Sequence, residues 1–463
     1  MKKLRYSKKK LFGFVRFIFG IYFLLVMSFF MLVLSSRASF RDVFTTGRVS
    51  VLENRSSKIT HDIIVDASML NNCPGGIAVL TKDILQKMAQ ARPNWRFNVL
   101  TYEESRTFTE LQALENVNFI MVRLFYHPSY DSLFNLLNFA TFGFFKDKLL
   151  QLIYYNTIFL DSECDLFWDP DGEDSVVNNF SIPKVATIHD LLHVESPELG
   201  SCEKSIDLSK KRTLESVKYS DKIITVSNFQ KKRIVDRYGV SENFVQAIPI
   251  QHADRLHFQL TQQEINTTLE KYNVSPQKYI IFVSQYFKHK NHRRLIQAFS
   301  KIVDRIGANE NLKLVLVGNM KRAEGELEKF AAQYSIKNNI IFTGGISDKD
   351  LQILLSNALC FVHPSLYEGF GMPVVEAMAS GIPVACSNQT SLPEVAGEAA
   401  LYFDPYNIDE MADAISKIVE NPLLRADLIK KGFEQAKKFR DTDAMIDEYV
   451  KVFEEVMEKR KIQ

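Results

Sequence analysis

The feature that most constrains this chain is an alternation of strand-length apolar runs with amphipathic, helix-length stretches, and the alternation runs twice. In the first series, strands are predicted at 63–65, 98–100, 117–122, 185–188 and 222–226, with helices such as 77–90 and 230–238 between them. A polar stretch follows, and the series restarts. Strands are then predicted at 279–283, 312–317, 340–342, 360–362 and 384–386. The accompanying helices fall at 293–306, 323–334 and 348–357, with another opening at Pro373. Alternation of this kind packs as a parallel sheet covered by helices through right-handed crossovers. The fold class is therefore α/β, with two doubly wound, Rossmann-like domains. The first is expected at 61–253 and the second at 277–440, joined by a linker at 254–276 and followed by a C-terminal helix at 441–463. A length of 463 residues suits two such domains.

Charge divides the chain differently. Residues 1–60 carry twelve Lys/Arg against Asp42 and Glu53, whereas the remainder holds 45 Lys/Arg and 53 Asp/Glu. An acidic body excludes nucleic acid as the main partner, because phosphate-backbone binding needs surplus positive charge on the domain itself. The basic start calls for a membrane instead. Residues 1–10 form a basic tail, and residues 17–34 hold no charge. As a helix those eighteen residues span about 27 Å, close to the hydrocarbon core. Thirteen of them are Phe, Ile, Leu or Val, worth roughly −4 to −8 kcal/mol of insertion free energy. We read 11–34 as a retained transmembrane anchor and 35–60 as a stalk. The run is too long for the core of a signal peptide, and Ser36-Arg37-Ala38 makes a poor cleavage site.

Five cysteines (Cys73, Cys164, Cys202, Cys360 and Cys386) are scattered without a paired motif, so neither a disulfide framework nor a zinc site is expected. No Asp-x-Asp pair lies in a plausible metal loop. Asp169-Pro170-Asp171 comes nearest and reads as a turn. The expected metal is none, and no cofactor is expected.

The densest chemistry lies at 363–405. Glu368 and Glu376 stand eight positions apart, with Gly369, Phe370, Gly371 and Met372 following the first of them. Pro373 suits the first turn of a helix, and Gly381 then Pro383 suit its end. Glu368 thus lies in a loop after a strand, and Glu376 lies about one turn into the helix. Glycine-rich backbone at a helix N-terminus presents free N–H groups to an anion, here a diphosphate. A carboxylate one turn away can accept both hydroxyls of a ribose. A second block, 283–299, occupies the first strand-to-helix turn of the second domain and carries Gln285, Lys288 and Lys290. A third, 185–198, ends an apolar strand in His189-Asp190, where a neutral imidazole can reach a sugar hydroxyl. Gly75 and Gly76 form a tight turn ahead of a helix, which lets backbone approach a ligand closely. His193 and His363 read as structural. The cations of 210–212 and 231–233 read as solvated helix faces, and the aromatic run 133–160 as core.

These blocks resemble glycosyltransferase family 4, the group 1 glycosyl transferases: retaining enzymes of GT-B architecture, with two facing Rossmann-like domains. The resemblance spans about 62–455. It implies that Glu376 binds the donor ribose, while Glu368 and the Gly369, Phe370, Gly371 and Met372 backbone hold the transferred sugar and its phosphates. It further implies that Lys290 neutralises the leaving diphosphate and that His189 reaches the transferred sugar. Gly75 and Gly76 would face donor phosphates. The family places Gly-Arg where this chain has Ser284-Gln285. Gln285 donates a hydrogen bond but brings no charge, and Lys288 is the nearest candidate to make up the loss. The expected activity is metal-independent transfer of a hexose, mannose-type favoured, from a nucleotide-diphosphate sugar to a hydroxyl of a glycan, lipid or small-molecule acceptor at a membrane. The alternatives are another GT-B enzyme, an epimerase or phosphorylase, or a catalytically silent subunit of a partner glycosyltransferase.

Overall fold

The computed structural model describes residues 59–67, 76–101, 106–121, 164–172, 182–200, 203–251, 253–306, 311–319 and 324–461. The basic tail, the anchor, all but the last two residues of the stalk, Gly75, the run 133–160, Cys73 and Cys202 lie outside them. Among the described residues no helix is long and apolar enough to cross a membrane.

The chain divides into two compact units, 1–82 with 92–164 and 83–91 with 165–463. The first holds three parallel strands in the order β3-β2-β1: β1 (His61–Asp66), β2 (Trp95–Thr101) and β3 (Val117–Met121). A fork of Arg96 closes on Asp62 across the two strands, with Nε and Nη2 each 2.5 Å from a carboxylate oxygen. Both residues are buried, and the paired geometry is what keeps two charges tolerable there. Helix α1 (Gly76–Ala91) leads from β1 to β2.

The second unit contains two further sets of strands. In the first set, β4 (Leu166–Asp169), β5 (Lys184–Ile188), β6 (Lys222–Thr225) and β7 (Val245–Ala247) run parallel in chain order. Helices α2 (Leu192–Glu195), α3 (Glu203–Tyr219) and α4 (Asn228–Tyr238) connect them. Helix α4 starts at Ser227, whose hydroxyl accepts the Gln230 N–H, and stops at Gly239 in the left-handed region.

The sequence reading made 254–276 a linker, and the structure puts helix α5 (Gln262–Lys271) inside it. The signal was present: Thr261 and Glu264 form a full capping box. A mostly polar face hid it, because only Thr268 and Leu269 are buried.

The second set is a six-stranded parallel sheet: β8 (Tyr279–Val283), β9 (Lys313–Val317), β10 (Ile340–Gly344), β11 (Cys360–His363), β12 (Val384–Ser387) and β13 (Ala400–Phe403). Its order is β10-β9-β8-β11-β12-β13, the doubly wound order, with the winding direction reversing between β8 and β11. Helices α6 (His292–Ile306), α7 (Glu324–Ala332), α8 (Asp348–Asn357), α9 (Met372–Ala379), α10 (Leu392–Ala396), α11 (Ile408–Glu420) and α12 (Pro422–Lys437) accompany it. Leu295, Ile296, Phe299 and Ile302 of α6 join Met411, Ile415 and Ile418 of α11 over one face. Sheet residues such as Ile280, Phe282, Leu314, Leu316 and Val362 are fully enclosed, which is why these strands read as continuous apolar runs. The last helix, α13 (Thr442–Lys461), does not extend the second sheet. Tyr449 and Phe453 instead pack on Trp168 of β4 at 5.8 and 5.6 Å between ring centroids, and Lys222 of β6 reaches Glu455 at 3.4 Å.

Candidate active site

The reversal between β8 and β11 opens a crevice at the strands' carboxyl ends, where an open α/β sheet binds its ligand. Two loops leave from it. After β8 the chain makes a single helical turn at Lys288–Lys290, then passes through Asn291 in the left-handed region. Asn291 is buried and its amide donates to the carbonyls of Pro364 and Pro405 at 3.1 and 2.8 Å. The Leu366 N–H donates to the His289 carbonyl at 2.7 Å. The Lys290 turn is therefore bolted to the loop after β11, and that is what brings Lys290 Nζ within 2.6 Å of Glu368 Oε1.

Glu368 is held from a second side. His363, the last residue of β11, lies fully buried with Nε2 at 2.7 Å from the same Oε1, and Ser365 Oγ stands 3.2 Å from that nitrogen. His363 stacks on Phe361 and meets Phe282 edge-on, which holds the plane of the ring. Burial alone pushes the Glu368 carboxyl up. Lys290 and His363 outweigh it and hold the group well below the ordinary carboxylate range. The sequence reading left His363 as structural. Its place at the end of a strand, five residues before Glu368, was the only signal available.

The glycines of this loop have different reasons. A Cβ on Gly369 would fall 2.0 Å from the His189 carbonyl oxygen, so only glycine fits against the end of β5. Gly371 sits at φ 107 as the N-cap of α9, and no side chain caps that helix. The Gly369 carbonyl accepts the Ser227 hydroxyl at 2.8 Å, and Ser391 Oγ lies 3.0 Å from the carbonyls of Glu368 and Phe370. Tyr367 packs against Phe229 of α4 and donates to Glu195 at 2.9 Å, while Gln230 Nε2 lies 3.3 Å from its hydroxyl. Glu195 is in turn bonded by Arg233 at 2.7 Å. Met372 thus begins α9 at the end of a loop, carrying Phe370, that is clamped from both sheets of this unit.

His189 follows β5, as its strand reading required. Its Nε2 donates to the Pro170 carbonyl at 2.8 Å; a carbonyl only accepts, so Nδ1 is left as the ring's acceptor. Burial lowers its basicity more than Pro170 and Asp190 restore it, so the ring is neutral. Asp190 accepts the Leu192 N–H at 2.8 Å. The Asp169-Pro170-Asp171 segment is a turn: Asp169 Oδ1 accepts the N–H groups of Asp171 and Gly172.

Gln285 is half-buried, and its carbonyl lies 2.7 Å from Ser284 Oγ and takes the Phe287 N–H at 3.1 Å. Lys288 is exposed on the turn that carries Lys290. Gly76 opens α1 and is exposed. Glu376 is buried on α9 as the fifth residue of that helix, and its Oε1 takes Arg255 Nη1 at 2.8 Å. Burial raises the Glu376 carboxyl, and Arg255 offsets only part of that rise. The sequence reading missed Arg255, which belongs to no motif.

A family model, "Glycosyl transferases group 1", matches residues 265–435. The O-antigen chain mannosyltransferase B of Escherichia coli is 30% identical over 266 residues, covering 56% of this chain and 69% of that protein. The MMP alpha-(1->4)-mannosyltransferase of Mycolicibacterium hassiacum is 28% identical over 238 residues, covering 51% of this chain but only 54% of its own. Among solved structures, the Anabaena protein HepE in complex with UDP and glucose superimposes with a TM-score of 0.65 at 17% identity, over 86% of this chain and all of that one. That last likeness speaks for the fold: two parallel, Rossmann-like α/β sheets of the GT-B kind. On the family model and the O-antigen relative together, the chain belongs to the group 1 glycosyl transferases.

Proposed function

We propose that the chain moves a mannose-type hexose from a nucleotide-diphosphate sugar to a hydroxyl of a glycan, lipid or small-molecule acceptor, with retention at the anomeric carbon. The observation that carries this reading is the Lys290–Glu368 pair beside the uncapped start of α9, at the switch point of a doubly wound sheet. The mannose preference is taken from the two relatives named above, and the chain spans barely half of the second.

In this reading the diphosphate lies against the amides of Gly369, Phe370, Gly371 and Met372 and the ammonium of Lys290. Gln285 contributes a neutral hydrogen bond. Glu368 accepts hydroxyls of the transferred sugar, His189 meets the same sugar from the other side, and Glu376 accepts the ribose hydroxyls. The acceptor oxygen bonds to the anomeric carbon as the bond from that carbon to the diphosphate oxygen breaks, and the acceptor proton passes to the departing phosphate. Catalysis then rests on positioning and on charge placed where it develops, with no metal required. Gly75 and Gly76 are assigned to the donor phosphates by resemblance. We assign 61–253 to the acceptor side, 277–440 to the donor side and 11–34 to a single membrane anchor.

The test is donor turnover by the purified protein with EDTA present, over GDP-mannose, UDP-glucose and UDP-GlcNAc. Release of GDP from GDP-mannose in proportion to a lengthened acceptor supports the reading. Turnover of another donor alone overturns the mannose assignment, and product only after Mg²⁺ or Mn²⁺ is restored overturns the metal-independent mechanism.

A further inference from the structure

Arg255 lies outside every motif, yet it is built into the structure with care. Its segment is tied down on both sides: the Ala253 N–H donates to the Phe439 carbonyl at 3.0 Å, and Phe258 exchanges hydrogen bonds with the Gln352 side chain, its N–H donating at 2.7 Å and its carbonyl accepting at 3.2 Å. Between those anchors the guanidinium spans two carboxylates. Nη1 donates to Glu376 at 2.8 Å and Nη2 to Asp348, the first residue of α8, at 2.5 Å. Glu376 is only 5% exposed at its side chain, and Arg255 26%. This is a fixed fork onto an enclosed carboxylate, unlike the exposed ion pairs elsewhere on the molecule.

An enclosed carboxylate without a cation takes up a proton and ceases to be a pure acceptor. Only Oε1 of Glu376 is engaged by Arg255; no described residue donates to Oε2.

We propose that Arg255 is a positioning residue for the donor, fixing one oxygen of Glu376 and leaving the other to accept the ribose hydroxyls. The proposal rests on the reading of Glu376 as the ribose acceptor. Asp348 plays the supporting part of holding the second arm of the fork.

The groups facing this carboxylate are Arg255 itself, Asp348 on α8 and, through Arg255, Asp83 on α1. Both of the latter are acidic, so among the described residues none replaces the cation once Arg255 is removed.

The experiment is calorimetric binding of GDP, with UDP in parallel, and of the 2′,3′-dideoxy form of whichever binds, to wild type, Arg255→Ala, Arg255→Lys and Glu376→Ala. For Arg255→Ala we expect the Kd of the ribonucleotide to rise about tenfold, corresponding to about 1.4 kcal/mol. The dideoxy form should change less than about twofold, the scatter of independent contacts. Arg255→Lys should recover part of the loss. The loss in Arg255→Ala should also shrink as pH rises from 6 to 9, because the carboxylate form of Glu376 returns.

Equal losses for the ribo- and dideoxy forms in Arg255→Ala, with selective loss in Glu376→Ala, overturn the inference and leave the ribose reading standing. Equal losses in both variants, or no binding of GDP or UDP by the wild type, overturn both.

Discussion

At the scale of single residues, the site depends on charges that would be costly alone. Lys290 and Glu368 meet at 2.6 Å with side chains 19% and 11% exposed, and each makes the other's enclosure tolerable. In the donor complex proposed above the same ammonium would face the diphosphate, so Lys290→Ala should remove a charge-assisted bond worth about 1.5–3 kcal/mol and lower kcat about ten- to a hundredfold. Glu376→Ala should raise the donor KM and leave the fold intact. A steady-state pair of kcat and KM for each variant checks both, and an unchanged KM for Glu376→Ala with every donor removes its assignment.

Two further imidazoles, half-buried His289 and buried His292, bear on how the protein responds to acid. Burial pushes His289 down to about 4 and His292 down to about 3, with Lys290 adding to both. Because the folded values lie below the ordinary value of 6.5, the unfolded chain binds the extra protons first. The stability these two rings contribute is therefore full above about 6.5 and falls as pH drops from there towards 4 and below. His292 lies between the rings of Phe282 and Tyr286, and no described residue partners either of its nitrogens. His292→Phe should raise the melting temperature at pH 5 and flatten its fall between pH 7 and 5; an unchanged slope would show that other groups govern acid sensitivity.

Residues with a motif around them were legible: Glu368, Glu376 and Lys290 stand where their spacing put them relative to strands and helices. Arg255 was not, since a contact across 121 positions of sequence leaves no local trace.

At the scale of elements, the loop from Pro364 to Gly371 is held from several sides. It is hydrogen-bonded to the Lys290 turn, to Ser227 before α4 and to Ser391 before α10, and Gly369 lies close against the His189 carbonyl after β5. Gly369→Ala tests the tightest of these contacts. The added carbon would lie 2.0 Å from backbone oxygen, which no rotamer relieves. Gly369→Ala should reduce kcat/KM sharply, with a lowered melting temperature, as the loop moves away from His189. Gly325→Ala is the control: Gly325 is in α7, no described atom lies within 4 Å of an added Cβ, and the change should leave activity alone and stabilise the helix by about 0.5–1 kcal/mol. Wild-type turnover in Gly369→Ala would show that the His189 contact is dispensable.

Strands of the second sheet were legible as elements because both faces are covered, giving unbroken apolar runs. The exception there was β13, and β4 and β7 were missed too: β7 and β13 are partly exposed, and the apolar run of β4 is only three residues long before Asp169. Helix α5 was missed because its face is mostly polar. The destination of α13 on β4 and β6 depended on Trp168, Tyr449 and Phe453 meeting, a matter of tertiary packing alone.

At the scale of the whole molecule, the anchor proposed at 11–34 carries a prediction about which side of a membrane the enzyme would work on. Six cations precede the apolar run, with Arg16 at its edge, and three, Arg37, Arg41 and Arg48, follow closely. The positive-inside rule then keeps the N-terminus in the cytoplasm and sends residues 35–463 across. Donor supply pulls the other way wherever nucleotide sugars stay in the cytoplasm, because the Lys290–Glu368 site would then stand on the side without substrate. We favour the charge argument for orientation and predict a single-pass integral protein. An epitope after Gln463, assayed in sealed vesicles whose outer face is cytoplasmic, should resist added protease until detergent is present, and alkaline carbonate should leave the protein with the membrane. Digestion without detergent would place the catalytic part in the cytoplasm and reverse the orientation while keeping the anchor. Release of the whole chain by carbonate would remove the anchor itself, and with it the account of why residues 1–60 carry ten more positive than negative charges.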